Sequence, residues 1–219
     1  MNKLIFSAFI ILLATSCSNK VRQAQLFNGT TLDGWYAYVQ GEKHEDASTI
    51  FNVMDSMIRL NGERPGYLMS KQLYSNFELT LDYKWNTEPK YERGKGNKNS
   101  GVMYQVPVRA DKLWPEGIQY QIKEGATGDF VLLDSVTLEV RGERNLPGKS
   151  VVIPRLSENE RTVGEWNQLV IKSYKGKCSQ YLNGKLVNEG IASSSLSGRI
   201  LLQYEGSPID FRRLIIRKL

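Results

Sequence analysis

Very little in this chain suits metal or thiol chemistry. Its 219 residues include one histidine, His44, and two cysteines, Cys17 and Cys178. Cys17 ends an apolar leader, whereas Cys178 sits in the strand-like run Lys177 to Leu182. Such different contexts offer neither a disulfide framework nor a zinc site. His44 lies in the polar segment Gly41 to Asp46 and would need Glu45 or Asp46 as co-ligands; a solvated loop histidine is the simpler reading. These residues call for no metal and no cofactor. Lysine and arginine outnumber aspartate and glutamate, 29 to 23, for a formal charge of +6, yet nowhere do five basic residues run together. That scatter argues against a nucleic-acid groove. No second apolar run after the leader suits a membrane span, and no internal repeat or convincing helix pattern appears.

The leader itself is informative. Lys3 precedes an almost wholly apolar stretch, Leu4 to Leu13, and Ala14, Thr15 and Ser16 precede Cys17. A basic start, a short apolar core and small residues before a cut site make a secretory signal, and a cysteine at that point resembles a bacterial lipoprotein signal. The expectation is a signal over 1–16, lipid on Cys17, a polar tether over 17–25 and one domain from 26 to 219. Ala14 departs from the usual leucine, and ordinary secretion is the alternative. The tether lacks an acidic cluster, which favours the periplasm-facing side of the cell envelope. The lipid would be the only link to a membrane, and Cys178 is expected as a free, mostly buried thiol.

What the chain has in abundance is short alternating runs. Phe77, Leu79, Leu81, Tyr83 and Trp85 share one side of a strand, and Ile118, Tyr120 and Ile122 share one side of another. Opposite the latter stand Gln119, Gln121 and Lys123. Two amides and a lysine in line read either as a solvated sandwich face or as a row of donors and acceptors facing a polar ligand. Asn61-Gly62 and Asn183-Gly184 are turn dipeptides, and Trp166–Tyr174 with Lys177–Leu182 reads as a hairpin about Gly176. About a dozen short strands with glycine and asparagine turns, and no helix, predict an all-β sandwich or barrel. Glu88 to Ser100, rich in glycine, asparagine and basic residues, reads as a long loop bordering a site. The stretch from about Val140 to Glu165 reads as an irregular basic loop.

Several motifs then fall in order: Leu26-Phe-Asn-Gly29 with Leu32-Asp-Gly-Trp35, Asn99-Ser-Gly101, Gly117-Ile-Gln-Tyr-Gln121, Gly164-Glu-Trp-Asn167, Leu182-Asn-Gly184, Ile200-Leu-Leu-Gln203 with Glu205-Gly206, and Phe211-Arg212. Together they resemble the bacterial 3-keto-disaccharide hydrolase family over residues 26–219. The resemblance implies a concanavalin-like jelly roll with a sugar groove, an oligosaccharide or glycoside ligand, and hydrolysis of glycosides oxidised to a ketone at C3. The family usually carries glutamate where this chain has Gln119, and an amide can neither take a proton nor carry charge at ordinary pH. Gln105 stands where arginine is common.

Ordinary glycosidases flank the scissile bond with two carboxylates, and no close acidic pair shares a strand face here. A C3 ketone acidifies the C2 hydrogen, so one base and one oxyanion stabiliser suffice for elimination followed by hydration. Glu205 is the candidate base, since it shares a strand face with Leu201 and Gln203; a solvent-facing glutamate at a strand end is the alternative. Lys123 or Arg212 is the candidate stabiliser, against the reading of plain surface charge. Trp114 offers a platform for a sugar face or serves as a packed loop anchor. Asn99 and Asp129 are expected to bond hydroxyls or to cap turns. Gln105, Gln119, Gln121, Gln203 and Arg212 complete the expected sugar-contacting set. The rival functions are a non-catalytic carbohydrate-binding lipoprotein of the same fold, which Gln119 favours, and a structural envelope lipoprotein with no sugar groove.

Overall fold

The computed structural model describes residues 23–61, 64–89, 98–192 and 197–219. The expected leader, Cys17 and most of the loop read over Glu88 to Ser100 lie outside these residues. The described residues form nineteen strands and one short 3-10 turn, so the dozen runs read from the sequence are subdivided but remain all-β.

Two antiparallel sheets build the jelly roll. The back sheet runs in the order β13 (Glu143–Arg144), β12 (Leu138–Val140), β17 (Lys185–Ala192), β16 (Lys177–Leu182), β15 (Asn167–Tyr174), β8 (Phe77–Trp85), β19 (Ile209–Lys218), β5 (Met57–Leu60), β4 (Asn52–Met54). The front sheet runs β14 (Ser150–Ile153), β11 (Phe130–Leu133), β10 (Gly117–Lys123), β9 (Asn99–Val106), β18 (Ser197–Tyr204), β6 (Gly66–Ser70), β2 (Trp35–Val39), β3 (Glu42–His44), with β7 (Tyr74–Ser75) on β18. The hairpin about Gly176 forms as read, with Lys175 and Gly176 both at positive φ, and so do Asn183 and Gly184. Such a pair of left-handed residues matches the twist of the flanking strands.

Two segments differ from the sequence reading. The stretch taken as a loop up to Glu165 contains β13 and the edge strand β14. The stretch taken as tether ends in β1 (Gln23–Gln25), which pairs Gln25 with Ile215 and Gln23 with Arg217 on β19. All three residues of β1 are exposed, so backbone bonds alone hold it and no apolar alternation announces it.

The inward faces make one core. Phe77, Leu79, Leu81, Tyr83 and Trp85 of β8 meet Ile118, Tyr120 and Ile122 of β10 and Val102 and Tyr104 of β9. Each such side chain contributes about 1.5–3 kcal/mol on leaving water. Cys178 is a buried free thiol in this core, and burial pushes its pKa up to about 11. The front sheet carries a second apolar cluster on its outer face, with Tyr36, Tyr67, Met69, Met103, Val106, Leu133 and Leu201 buried. Its middle strands are therefore covered on both sides.

One irregularity reshapes β9. Arg199 pairs with Val106 but Leu201 with Met103, so β9 carries an extra residue there. Gln105 takes up the slack at φ 56°. The bulge turns its side chain toward the back sheet, where Nε2 donates to Ser173 Oγ at 3.0 Å and approaches Cys178 Sγ at 3.5 Å. Gln105 therefore does not face the groove, contrary to the sequence expectation. Gly198 is what lets the strands close there: a Cβ on it would lie 2.3 Å from the carbonyl carbon of Gln105. Since that atom is backbone, Gly198→Ala is expected to destabilise the fold by about 1–3 kcal/mol. Urea unfolding should show a lower midpoint at unchanged m.

Candidate functional site

Strict alternation carries Gln119 and Gln121 to the outer face of β10 while Ile118 and Tyr120 enter the core, as the sequence predicts. On β18, Gln203 takes the same outer face. Asn99 on β9 and Glu205 just past β18 complete the group. Gln119, Gln121 and Gln203 are nonetheless buried, 3%, 8% and 3% exposed, so this is no solvated sandwich face.

The five polar side chains close a ring. Gln119 Nε2 donates to Gln121 Oε1 and, at 2.9 Å, to Gln203 Oε1. Gln121 Nε2 donates to Asn99 Oδ1 at 3.0 Å, and Asn99 Nδ2 donates to Glu205 Oε2. Gln203 Nε2 donates to Glu205 Oε1 at 2.6 Å. Two chains of bonds thus start at Gln119 and end on one carboxylate. An ionised carboxylate only accepts, so it dictates which way Asn99 and Gln203 face. Gln119 uses both its N–H groups within the ring. Asn99, Gln121 and Gln203 each keep a second N–H, and the carbonyl of Gln119 keeps its lone pairs; these are what the ring can offer a ligand.

The Asn99-Ser-Gly101 motif acquires a physical meaning here. Asn99 is a ring member, and Ser100 Oγ donates to the Gln203 carbonyl at 2.7 Å, tying β9 to β18. Gly101 leaves room for Gln119, whose side chain crosses it: an added Cβ would stand 2.5 Å from Nε2 and 2.7 Å from Cδ.

Burial raises the pKa of Glu205, against the lowering pull of the Asn99 bond and of the positive charge on Lys123. Lys123 pairs with Asn99 across β9 and β10 but does not line the groove, so it acts on the carboxylate through its charge. The groove encloses about 830 Å³, a size suited to a small ligand. Trp114 stands at its edge, 38% exposed, on a loop held in place by a clamp. Asp111 Oδ1 accepts from Tyr36 Oη at 2.5 Å and from Tyr67 Oη at 3.0 Å, and Arg199 Nη1 donates to Tyr36 Oη at 3.1 Å. Lys112 pairs with Asp134 on the same loop's other side.

Two further candidates lie elsewhere. Asp129 Oδ1 accepts from the Arg155 backbone N–H at 2.9 Å and from Nη1 at 3.4 Å, so it fastens the segment after β14 and contacts no groove. Arg212 is on the back sheet. Its Nε donates to Asp82 Oδ2 at 3.1 Å and its guanidinium lies 3.8 Å from the ring of Trp166, on the far side of the molecule. Neither the pattern of β19 nor its Phe-Arg pair reveals which sheet it joins. The sequence reading missed Leu113, Val131, Leu133 and Val152, which also line the groove. Val131 does alternate with buried Phe130 and Leu132, but only the pairing of β11 with β10 and β14 puts it there. Among the described residues, no three His, Cys, Asp or Glu side chains come together in a way that could hold a metal ion.

A family model described as a 3-keto-alpha-glucoside-1,2-lyase-like domain matches residues 23–217. A 3-keto-disaccharide hydrolase of Bacteroides thetaiotaomicron is 25% identical over 171 residues, covering 69% of this chain and 52% of that protein. The chain therefore spans about half the length of this curated relative. Among solved structures, a candidate glycosyl hydrolase of Parabacteroides distasonis superposes with a TM-score of 0.65 at 20% identity, over 90% of this chain and 94% of that one. A carbohydrate-binding module of Bacillus subtilis superposes with a TM-score of 0.59 at 14% identity, over 89% of this chain and 100% of that one. Likeness at these identities is one of fold.

The ring makes Gln119→Glu an informative change. A glutamate there cannot donate, so Gln121 and Gln203 must turn round, and a second buried charge faces Glu205. Both carboxyls would have folded-state pKa values above their unfolded ones, so stability is present at low pH and lost as pH rises through those values. Gln119→Glu is expected to lose about 2–4 kcal/mol at pH 7.5 and to recover most of it near pH 4, by urea unfolding at both.

Proposed function

Because this chain belongs to the family of 3-keto-alpha-glucoside-1,2-lyase-like domains, we propose that its groove binds a glycoside oxidised at C3 and cleaves it at C1. The observation that carries this reading is the one carboxylate of the amide ring, Glu205, with its pKa raised by burial and its position fixed by two amides, while the groove's other carboxylate, Asp134, is paired with Lys112. A plain glycoside needs two carboxylates, whereas a 3-keto sugar needs one base. Glu205 takes the C2 proton. The electron pair of the C2–H bond passes into the C3 carbonyl and forms an enolate. The remaining N–H groups of Asn99, Gln121 and Gln203 are available to steady that charge, in place of the cations expected from the sequence. The enolate then re-forms the ketone and expels the C1 oxygen with its substituent, which takes the proton from Glu205 and leaves as the alcohol; water adds across the resulting double bond, its hydroxyl to C1 and its proton to C2. Net, one water is consumed and one glycosidic bond is broken.

A second reading is a non-catalytic carbohydrate-binding protein. Gln119 in place of a carboxylate favours it, as does the fact that both oxygens of Glu205 already accept amide bonds. Incubation with 3-keto-glucosides and their unoxidised parents separates the two. The hydrolase reading expects turnover of the former alone; binding without turnover moves the assignment to the second. In an active protein, Glu205→Gln should lower turnover by about a hundredfold to ten-thousandfold while ligand affinity stays within a few-fold. Since the base works only when deprotonated, kcat/KM should rise with pH through a pKa above the ordinary carboxylate range. Unchanged turnover in Glu205→Gln would remove it from the mechanism.

The leader supports a lipid anchor on Cys17 and a place on the periplasm-facing side of the cell envelope. Cys17→Ser is expected to release the protein from membranes and abolish lipid labelling, read by fractionation of the producing cells.

A further inference from the structure

The groove has two chemically different halves. Its floor is the amide ring on β9, β10 and β18. Its wall is apolar: Leu113 and Trp114 from the clamped loop, Val131 and Leu133 from β11, and Val152 from the edge strand β14. Val152 pairs with Val131 across β11 and β14 and is 56% exposed, while its neighbours Val151 and Ile153 pack against the core. An exposed valine on an edge strand runs against the usual protection of such edges by charge. Here it extends an apolar surface that begins inside the groove. The polar groups near the wall offer little. Lys112 and Asp134 pair with each other, and Lys149 and Ser150 lie exposed at the rim.

A second pyranose against this wall would bring hydroxyls that need partners, and Leu113, Val131, Leu133 and Val152 have none. A flat apolar group would bury its surface there and stack on Trp114. We propose that the wall is an aglycone subsite, and that the substrates are 3-oxidised glucosides of apolar alcohols or phenols rather than disaccharides. This rests on the reading that the ring takes a C3-oxidised sugar.

The test compares methyl, cyclohexyl and glucosyl 3-keto-glucosides, whose leaving groups are all alcohols, in both anomeric forms. KM for the cyclohexyl glycoside should lie at least tenfold below those for the methyl and glucosyl ones. That advantage should shrink at least threefold in Val152→Asn and in Trp114→Ala, each checked for native-like unfolding. A disaccharide KM at or below the cyclohexyl value, or an advantage untouched by both substitutions, would overturn the subsite. Calorimetric binding of the unoxidised cyclohexyl and methyl glucosides keeps the two readings apart. If no keto-glycoside turns over, tenfold tighter cyclohexyl binding that Val152→Asn weakens retains the subsite and rejects only the hydrolase reading. Equal binding rejects both.

Discussion

Glu205 accepts from Asn99 and from Gln203, and each of those amides is held in turn by another, back to Gln119. This closed hydrogen-bond ring is the constraint on which the groove depends. Three of its members are almost wholly buried, and a buried amide without partners would cost about twice what a satisfied bond contributes. The ring removes that cost and fixes five side chains on three strands at once. It also accounts for the glutamine at 119. With Glu205 ionised the ring has one vertex that only accepts, the carboxylate, and at the opposite end one that donates twice. Glutamine at 119 is thus matched to the rest of the floor.

The sheet beneath the ring explains why it can be so rigid. β9, β10 and β18 are covered on the inner face by the main core and on the outer face by Met103, Leu201, Met69 and the tyrosines. Asp111, bonded to Tyr36 and Tyr67, is the anchor that brings the Trp114 loop over this second cluster. Burial, and then Asp111 beside them, push both phenols above their usual range, so they remain donors to that carboxylate at any physiological pH. The groove wall is therefore held by a buried polar clamp instead of resting on a free loop.

Much of this was legible in the sequence wherever period-two alternation decides the outcome. Ile118, Tyr120 and Ile122 against Gln119 and Gln121 gave the correct faces, and Gln203 and Glu205 were correctly placed on one side. The failures have specific causes. Gln105 was misplaced because one inserted residue reverses the alternation, and nothing in Met103-Tyr-Gln-Val106 marks the bulge except the distant Gly198. Arg212 was misplaced because alternation gives a face but not the identity of the sheet. Asp129 takes the second of its two readings, a bond to backbone, because a loop aspartate looks the same whether its partner is a hydroxyl or the backbone of Arg155. The apolar wall was invisible because Val152 lies in a segment with no alternation strong enough to announce β14.

The two bond chains run in opposite senses around the ring, both away from Gln119 and both toward Glu205. A proton on Glu205 changes that topology. One carboxyl oxygen becomes a donor, and toward Gln203 it can be met only by the amide oxygen. Gln203 must rotate and present its N–H groups to Gln119, which then accepts on one side and donates on the other. The circuit becomes homodromic: every bond points the same way round, from Gln203 through Gln119, Gln121 and Asn99 to Glu205 and back. A single proton thus reverses the two bonds that Gln203 makes, while the three that run through Gln121 and Asn99 keep their sense, so a group resting beside Gln203 meets one of two opposite polarities.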